Sequence, residues 1–294
     1  MTSILTNNSA MAALQTLRSV NNSLSDTQNA VSSGLRVEQA SDNAAYWAIA
    51  TTMKSDNSAL SAVSDALGMG SAKVDTAYTA VESSIDVVTE IKAKLVAATE
   101  DGVDKDKIQD EITQLQKQLT SISSSASFNG ENWVSASVGD TMSVVSSFIR
   151  TAGGVSVSTS GYNADATDLL YTDAGTGILD GVGAVSGESI TEMSISSTST
   201  KGDIDQLITD TETALSAMTA LGSKLGSLQT GIELQTDFVS KLSDSIDAGV
   251  GRLVDADMEE ESSKLSALQT QQQLAVQSLS IANSSSQNIL TLFR

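Results

Sequence analysis

The sequence predicts a mainly α-helical protein: a long antiparallel coiled coil or helical bundle formed by the N- and C-terminal halves, with a small central β or loop insert. Three observations support this fold class. The 294 residues include no proline, so the strongest interruption of a helix is absent. Apolar residues recur at alternating steps of three and four in both halves. Between these halves, residues 128–202 hold 11 of the 20 glycines and break the pattern.

The N-terminal half contains three predicted helices, each marked by an apolar seam. The first seam is Ala10, Leu14, Leu17, Asn21, Leu24, Gln28, Val31 and Leu35. The second alternates without a slip: Leu60, Val63, Leu67, Gly70, Val74, Ala77, Val81, Ser84, Val88, Ile91 and Leu95. The third is Ile108, Ile112, Leu115, Leu119, Ile122 and Ala126. A mean step of 3.5 residues is typical of a coiled-coil seam. A polar residue within such a seam either fixes the register by pairing with a polar partner or tolerates partial exposure. For Asn21 and Gln28 the sequence leaves both interpretations open.

The glycine-rich stretch is predicted to be the insert. Asn129-Gly130 suits a type I′ hairpin turn, because both central residues of that turn take positive φ. Residues 141–149 and 154–160 read as short strands. Residues 175–187 contain too many glycines for a helix interior. For residues 161–190, flexible disorder is the alternative to a folded loop.

The C-terminal half contains two more seams. The fourth is Leu225, Leu228, Ile232, Gln235, Val239, Leu242, Ile246, Gly249 and Leu253. The fifth is Leu265, Leu268, Gln272, Ala275, Leu279, Ala282, Ser286, Ile289 and Phe293. The simplest closure pairs the first helical half with the last, so that the chain turns in the insert and returns antiparallel. We therefore expect both ends at one pole.

The net charge of −20 is unevenly distributed. Residues 1–60 carry three basic and four acidic side chains, residues 262–294 carry two basic and none acidic, and residues 61–261 therefore carry −21. Because buried contacts avoid charge, we expect both ends to be covered and the middle to face water. Such an acidic chain does not suit nucleic acid or anionic lipid. No apolar run is long enough to span a membrane, and Met1–Ala10 does not resemble a secretory signal.

The residue inventory also removes most catalytic chemistry. With no His and no Cys, a Cys or His metal site, a Cys nucleophile and a Ser-His-Asp triad are excluded. The acidic residues 255–261 lack the spacing of an EF-hand calcium loop, so a solvated acidic linker is the better interpretation. We expect no catalytic, cofactor-binding or metal site.

Both ends of the chain carry recognisable motifs. Near the N-terminus, Val31-Ser32-Ser33-Gly34-Leu35-Arg36 is followed by Ala40-Ser41-Asp42-Asn43-Ala44-Ala45. Near the C-terminus, Asp255 and Asp257 precede an ending that contains Ala282-Asn283, Gln287-Asn288-Ile289-Leu290 and Leu292-Phe293-Arg294. These segments resemble bacterial flagellin, from Ser3 to Lys94 and from Gly251 to Arg294. Phe128-Asn129-Gly130 is similar to the turn after the third helix of that family.

The resemblance implies three parts. It implies an inner coiled coil, D0, from residues 1–44 and 251–294, a helical D1 bundle with a β-hairpin from residues 45–150 and 203–250, and a small variable outer insert from residues 151–202. Subunit packing along the D0 seams is expected at Leu14, Leu17, Leu24, Val31, Leu35, Leu265, Leu268, Leu279, Ile289 and Phe293. The D0–D1 junction is expected to contain Arg36, Asp42, Asn43, Arg252, Asp255 and Asp257.

The resemblance also implies a function. It implies a structural subunit, not an enzyme, that polymerises through its terminal helices into the extracellular filament of the bacterial flagellum, the propeller for motility. The implied partners are further copies of the chain, alone or with other flagellins, and an export chaperone, a filament cap and hook-junction proteins. Type III export without a cleaved signal peptide is implied as well.

Innate immune receptors recognise members of this family, and we expect them to recognise this chain weakly. In the segment that corresponds to the plant-receptor epitope, residues 29–50, Asn43 replaces the usual Asp and Tyr46-Trp47 replace smaller residues. On the central helix, Glu90 occupies a position that is normally basic.

Two alternatives stay open at this point. A hook–filament junction protein shares flagellin-like termini and a similar length. A non-flagellar coiled-coil filament, adhesin or secretion-needle component is the other, although the C-terminal ending argues against it.

Overall fold

A computed structural model describes residues 7–151 and 154–291, with only the backbone described for residues 285–291. Five helices dominate: α1 (Asn8–Ser33), α2 (Ala44–Ala98), α3 (Lys105–Ser125), α4 (Lys201–Val254) and α5 (Met258–Thr291). Between α3 and α4 lie short strands and one longer hairpin: β1 (Ser127–Phe128), β2 (Glu131–Asn132), β3 (Ser135–Ala136), β4 (Thr141–Thr151), β5 (Gly154–Asn163) and β6 (Tyr171–Thr172). The predicted fold class, mainly α with a small central β insert, is confirmed.

The chain divides into two compact units. The terminal unit comprises the residues up to Ser58 and from Asp244 onwards, and the central unit is Ala59–Ser243. In the terminal unit, the first turns of α2 and the last turns of α4 share a core with Leu35 and Val37, which follow α1. The D0 and D1 limits implied by the resemblance stay a prediction. Residues 151–202 belong to the central unit and do not form a unit of their own.

The central unit is organised by the long seam of α2. All eleven predicted seam residues from Leu60 to Leu95 are buried, as an uninterrupted heptad alternation predicts. From the third predicted seam, Ile112, Leu119 and Ala126 are buried. A salt bridge at the margin of the two helices links α2 to α3, with Lys94 Nζ 2.7 Å from a Glu111 carboxylate oxygen.

The predicted turn and strands are confirmed. Asn129 (φ 53°) and Gly130 (φ 85°) connect β1 to β2 with the two positive φ values that a type I′ turn needs. β4 and β5 pair antiparallel, and the register runs from Thr141 opposite Asn163 to Thr151 opposite Gly154. β3 and β6 form a short parallel pair.

The segment between β5 and α4 is folded, so the disorder alternative for residues 161–190 does not hold. Leu169, Leu170 and Leu179 are fully buried within it. Polar side chains of α3 hold the segment by its backbone: Gln116 Nε2 donates to the carbonyl oxygens of Ile190 (3.1 Å) and Met193 (3.0 Å).

A buried carboxylate of α4 holds the same segment from the other side. Asp210 accepts the backbone N–H groups of Ser186 (2.7 Å) and Val185 (3.2 Å). Burial raises the pKa of the Asp210 carboxyl, but these hydrogen bonds outweigh it, so the pKa lies below its ordinary value. The glycine-rich composition fits this arrangement, since a Cβ at Gly183 would overlap the Asp210 carboxylate.

Candidate functional site: the terminal helices and their junction

Within the terminal unit, α1 and α5 pack as an antiparallel pair. Three contacts along the pair show the direction: Asn7 Nδ2 donates to the Ala282 carbonyl oxygen (3.0 Å), Gln272 Nε2 donates to Asn21 Oδ1 (2.8 Å), and Leu35 forms an isolated antiparallel bridge with Asp255. Asn21 therefore has a polar partner on α5, which is itself a predicted seam residue, although Asn21 is exposed.

The contact face of α1 differs from the predicted seam at every second position. Leu14, Asn21 and Gln28 are exposed, whereas the residue before each of them is covered: Ala13 and Val20 are half-buried and Thr27 is buried. The predicted seam and the observed contact face share every seventh residue. They differ in which residue between these shared positions faces α5. Helix α5 lies over the column of small and β-branched residues, so the prediction of those three positions in the intrachain seam is wrong.

The remaining predicted packing residues are distributed between buried and partly buried positions. Leu24 and Leu268 are buried, and a further set is half-buried: Leu17, Val31, Leu35, Leu265 and Leu279. The side chain of Ile289 and all of Phe293 lie outside the described residues. Leu35 lies beyond α1 rather than on its seam, because Gly34 (φ 73°) ends the helix with a left-handed cap.

The outer face of this helix pair is uncovered and exposes large apolar side chains among polar ones. A pair of helices buries one stripe on each. Among the described residues outside that stripe, the exposed large apolar side chains are Met258, in the first turn of α5, and a set of five: Met11, Leu14, Leu274, Val276 and Ile281. No charged side chain lies between Leu265 and Ser284. We call these five residues the outer face of the terminal pair.

Three side chains start the helices of the terminal unit by capping their free N–H groups. Asn7 Oδ1 accepts from Ala10 N (3.1 Å) at α1, Asn43 Oδ1 accepts from Tyr46 N (3.1 Å) at α2, and Asp257 Oδ1 accepts from Glu259 N (3.0 Å) at α5. The predicted junction residues Asn43 and Asp257 are therefore helix N-caps.

The loop between α1 and α2 and the break between α4 and α5 lie against each other. The Val254 carbonyl oxygen accepts N–H groups from Arg36 (2.7 Å) and Val37 (3.2 Å), and Ala256 N donates to the Gly34 carbonyl oxygen (2.9 Å). The Arg36 guanidinium adds a bond to the Leu253 carbonyl oxygen (3.0 Å). These bonds make the α4 terminus and the α1 terminus one hydrogen-bonded junction.

The other predicted junction residues, Asp42, Asp255 and Arg252, each have a separate place near the junction. Asp42 accepts the N–H groups of Glu38 (3.0 Å) and Gln39 (2.9 Å) and so closes the loop before α2. Asp255 lies in the bridge with Leu35. Arg252 is exposed in the last turn of α4, where a positive charge interacts favourably with the helix C-terminus.

Sequence reasoning missed the apolar core that holds the junction. Val37, Ala50, Val250 and Val254 are buried together, and Leu35, Met53, Ile246 and Leu253 pack against them. The available signal was the i, i+4 spacing of Val250 and Val254, but these residues lie outside the predicted heptad positions, and Val37 lies in a loop.

Within the part of the chain that the structure describes, no group of three His, Cys, Asp or Glu residues could hold a metal ion. None of the described helices combines the length and apolarity that crossing a bilayer requires.

Comparison with known proteins decides the family. The model of the bacterial flagellin N-terminal helical region matches residues 4–138, and that of the C-terminal helical region matches residues 208–293. Flagellin A of Rhizobium meliloti (strain 1021) is 48% identical over 394 aligned positions that cover all of both chains. The chain belongs to the bacterial flagellin family.

Two further relatives align with this flagellin over its whole length. Flagellin C of Rhizobium meliloti (strain 1021) is 52% identical over 323 positions, and the flagellin of Brucella melitensis biotype 1 (strain 16M) is 48% identical over 295 positions, each alignment covering all of both chains. This flagellin is a structural subunit of the extracellular flagellar filament and polymerises with itself. The family does not favour a junction protein or a non-flagellar filament.

Proposed function

We propose that this flagellin assembles through its terminal unit, with residues 1–44 and 251–294 as the inner D0 coiled coil, residues 45–150 and 203–250 as D1 and residues 151–202 as the outer insert. The observation that carries the proposal is the outer face of the terminal pair, which exposes large apolar side chains in a single subunit and carries no charge from Leu265 to Ser284. An exposed apolar surface of this kind is typical of a protein interaction site.

Burial of this face by neighbouring copies is favourable in free energy. Fully burying one Leu or Ile side chain contributes about 1.5–3 kcal/mol, so a few such residues outweigh much of the entropy lost on association. The contact joins different surfaces of successive copies, and a repeated contact of that kind produces an open helical filament rather than a closed ring. Among the D0 seam residues whose side chains the structure describes, Leu14 is the one that α5 leaves exposed.

The same features favour folding of the terminal helices on assembly. Along the α1–α5 pair, the described residues that are buried are Leu24, Thr27 and Leu268. So small an apolar contact offsets little of the conformational entropy of two long helices. We propose that α1 and α5 are largely unfolded in the monomer and fold when neighbouring copies cover their outer face.

A substitution series on the full chain tests the assembly surface. Leu274→Ser and Ile281→Ser change the outer face, while Val182→Ser changes an equally exposed apolar residue of the central unit. Seeded polymerisation followed by light scattering should show that the critical concentration rises at least about tenfold for the first two variants and less than about twofold for the third. Electron microscopy identifies the filaments. Assembly of Leu274→Ser and Ile281→Ser at the wild-type concentration would refute the proposal.

Export and its partners belong to the same proposal. A chain with no Pro and no Cys refolds without slow X-Pro isomerisation or disulfide exchange, which suits passage through a type III channel in an unfolded state and without signal cleavage. An export chaperone would cover the apolar α5, and a filament cap and hook-junction proteins would complete the assembly. We propose no catalytic activity, because the chain lacks His and Cys.

We also propose weak recognition by innate immune receptors. Tyr46 and Trp47 are exposed where smaller residues are usual, and Glu90 is an exposed acid on α2 at a normally basic position. Robust receptor activation by purified protein at low concentration would contradict this.

A further inference from the structure

One methionine of the terminal unit is open to solvent and belongs to a core at the same time. Among the described methionines, three are exposed and three are buried: Met11, Met69 and Met258 in the first group, and Met142, Met193 and Met218 in the second. Met53 on α2 belongs to neither group, because it is half-buried. A small oxidant in solution can therefore reach this side chain.

The side chain of Met53 packs on the apolar core of the junction, which we call the junction core. The buried residues of that core are Val37, Ala50, Val250 and Val254. A Cβ on Gly249 would lie only 2.9 Å from Met53 Cε, so the terminal methyl group lies against the α4 backbone at that glycine. Met53 therefore links α2 to α4 within the terminal unit.

The thioether sulfur of Met53 is bonded directly to the methyl group that makes this contact. Oxidants of the peroxide class convert a thioether into a sulfoxide. The sulfur attacks one oxygen of hydrogen peroxide, the O–O bond breaks, an S–O bond forms and the other oxygen leaves as water. The methionine is oxidised and the peroxide is reduced, and the side chain gains one oxygen atom.

A sulfoxide does not suit this position. It is polar and chiral, whereas the contact with α4 is made by an apolar and flexible side chain. The side chains of the junction core are all apolar, so none of them donates a hydrogen bond to a sulfoxide oxygen. An oxygen that stays in the contact is left without a partner, and one that turns to solvent takes the methyl group away from Gly249. Both arrangements weaken the link between α2 and α4.

We propose that Met53 is an oxidation site at which oxidants of the peroxide class loosen the junction core and thereby weaken filament assembly. The effect on assembly rests on the proposed function of the terminal unit. The exposed methionines are oxidised as well, but in a single subunit their sulfoxides stay in water. The modification is reversible, because methionine sulfoxide reductases restore the thioether.

A pair of full-length variants isolates Met53 from the other accessible methionines. The reference variant is Met11→Leu/Met69→Leu/Met258→Leu, in which leucine keeps the volume and the apolar character. The matched control carries Met53→Leu in addition. Both are treated with hydrogen peroxide. Peptide mass mapping should show one added oxygen at Met53 of the reference variant and none at the three buried methionines.

Hydrogen exchange and assembly then measure the consequence. Peptides that cover residues 44–58 and 244–254 report on the junction core in monomer and filament. In the reference variant, oxidation should speed their exchange at least about tenfold and raise the critical concentration for assembly at least about tenfold. In the matched control, both should change less than about twofold. Treatment with methionine sulfoxide reductase should restore the reference variant.

A second pair of variants makes the same comparison without an oxidant. Met53→Gln places a polar amide at the junction core, and Met69→Gln makes the same change at an exposed position of α2. The first should raise the critical concentration at least about tenfold and the second less than about twofold. Thermal unfolding of the central unit should be unchanged in both, which shows that the chain folds.

The outcomes separate this inference from the proposed function. The inference is overturned if Met53 stays unoxidised while the exposed methionines of the wild type are fully converted. Complete oxidation of Met53 with unchanged exchange or unchanged assembly also overturns it. If the untreated chain forms no filaments, the proposed self-assembly fails, and the exchange comparison on the monomer still decides whether oxidation loosens the junction core.

Discussion

Two glycines on α2, two residues apart, should respond in opposite ways to alanine. A Cβ at Gly70 would overlap Cγ1 of Val144 on β4 and lie 3.0 Å from Cβ and 3.1 Å from Cγ2 of the same residue. Around Gly68 nothing lies within 4 Å of the corresponding position. Both glycines are inside a continuous helix, so the local helix propensity term is the same for both substitutions.

The expected magnitudes follow from these distances. Gly68→Ala should raise the free energy of unfolding of the central unit by about 1 kcal/mol, the difference in helix propensity. Gly70→Ala gains the same amount but overpacks a buried contact, which costs about 1–3 kcal/mol. The gain cancels in the comparison, so Gly70→Ala should be less stable than Gly68→Ala by about 1–3 kcal/mol, or about 2–4 °C in Tm for each kcal/mol.

Thermal unfolding of the monomer by circular dichroism measures the difference. The double variant Gly70→Ala/Val144→Ala removes the overlapping methyl group, so Val144→Ala should cost less in the Gly70→Ala background than alone, with a coupling of about 1–3 kcal/mol. Equal stability of Gly68→Ala and Gly70→Ala, together with no coupling to Val144, would refute the close contact between β4 and α2.

Three further substitutions follow from individual contacts. Ser84→Ala should stabilise the central unit by about 1 kcal/mol, because the buried Ser84 hydroxyl has no hydrogen-bond partner among the described residues; a clear loss of stability in thermal unfolding would argue against this. Asp210→Asn should lower the free energy of unfolding by about 2 kcal/mol at neutral pH. Because the pKa of Asp210 is lowered by folding, its stabilisation is complete above the ordinary carboxyl pKa of about 3.9 and is lost as the pH falls through the folded value. The variant should therefore lose less stability than wild type on acidification, and an identical acid limb in denaturant titrations would contradict the assignment. Leu279→Ala should weaken filament assembly by about 2–5 kcal/mol per subunit if neighbours complete its burial, and an unchanged critical concentration by light scattering would reject that packing.

Periodicity predicted the helices well where one face is buried by the chain itself. The seam of α2 is correct at every position because ten consecutive alternating steps leave no choice of face. On α1 the same reasoning chose the wrong column at Leu14, Asn21 and Gln28. Leu14 is larger and more apolar than Ala13, so the hydrophobic pattern favoured it. The partner helix α5 nevertheless packs over Ala13, because hydrophobicity alone does not encode how closely two helices approach.

The folded segment before α4 and the junction core could not be predicted for a different reason. Their buried residues are brought together by contacts distant in sequence, such as the bonds from Gln116 to Ile190 and Met193 in the segment before α4. In the junction core only Val250 and Val254 show a local spacing, and their partner Val37 lies in a loop. The caps Asn43 and Asp257 were identified as junction residues through the family motifs, and only the structure gives their physical role as N–H acceptors at two helix starts.

Hydrogen exchange on monomer and filament, resolved by peptide, tests the central claim most directly. If the terminal unit is the assembly surface, amides of α1 and α5 should exchange rapidly in the monomer and become strongly protected in the filament. Amides of the α2 seam between Leu60 and Leu95 should be slow in both states, because the chain itself buries that face. Slow exchange of α1 and α5 already in the monomer, with protection on assembly confined to the central unit, would contradict the account.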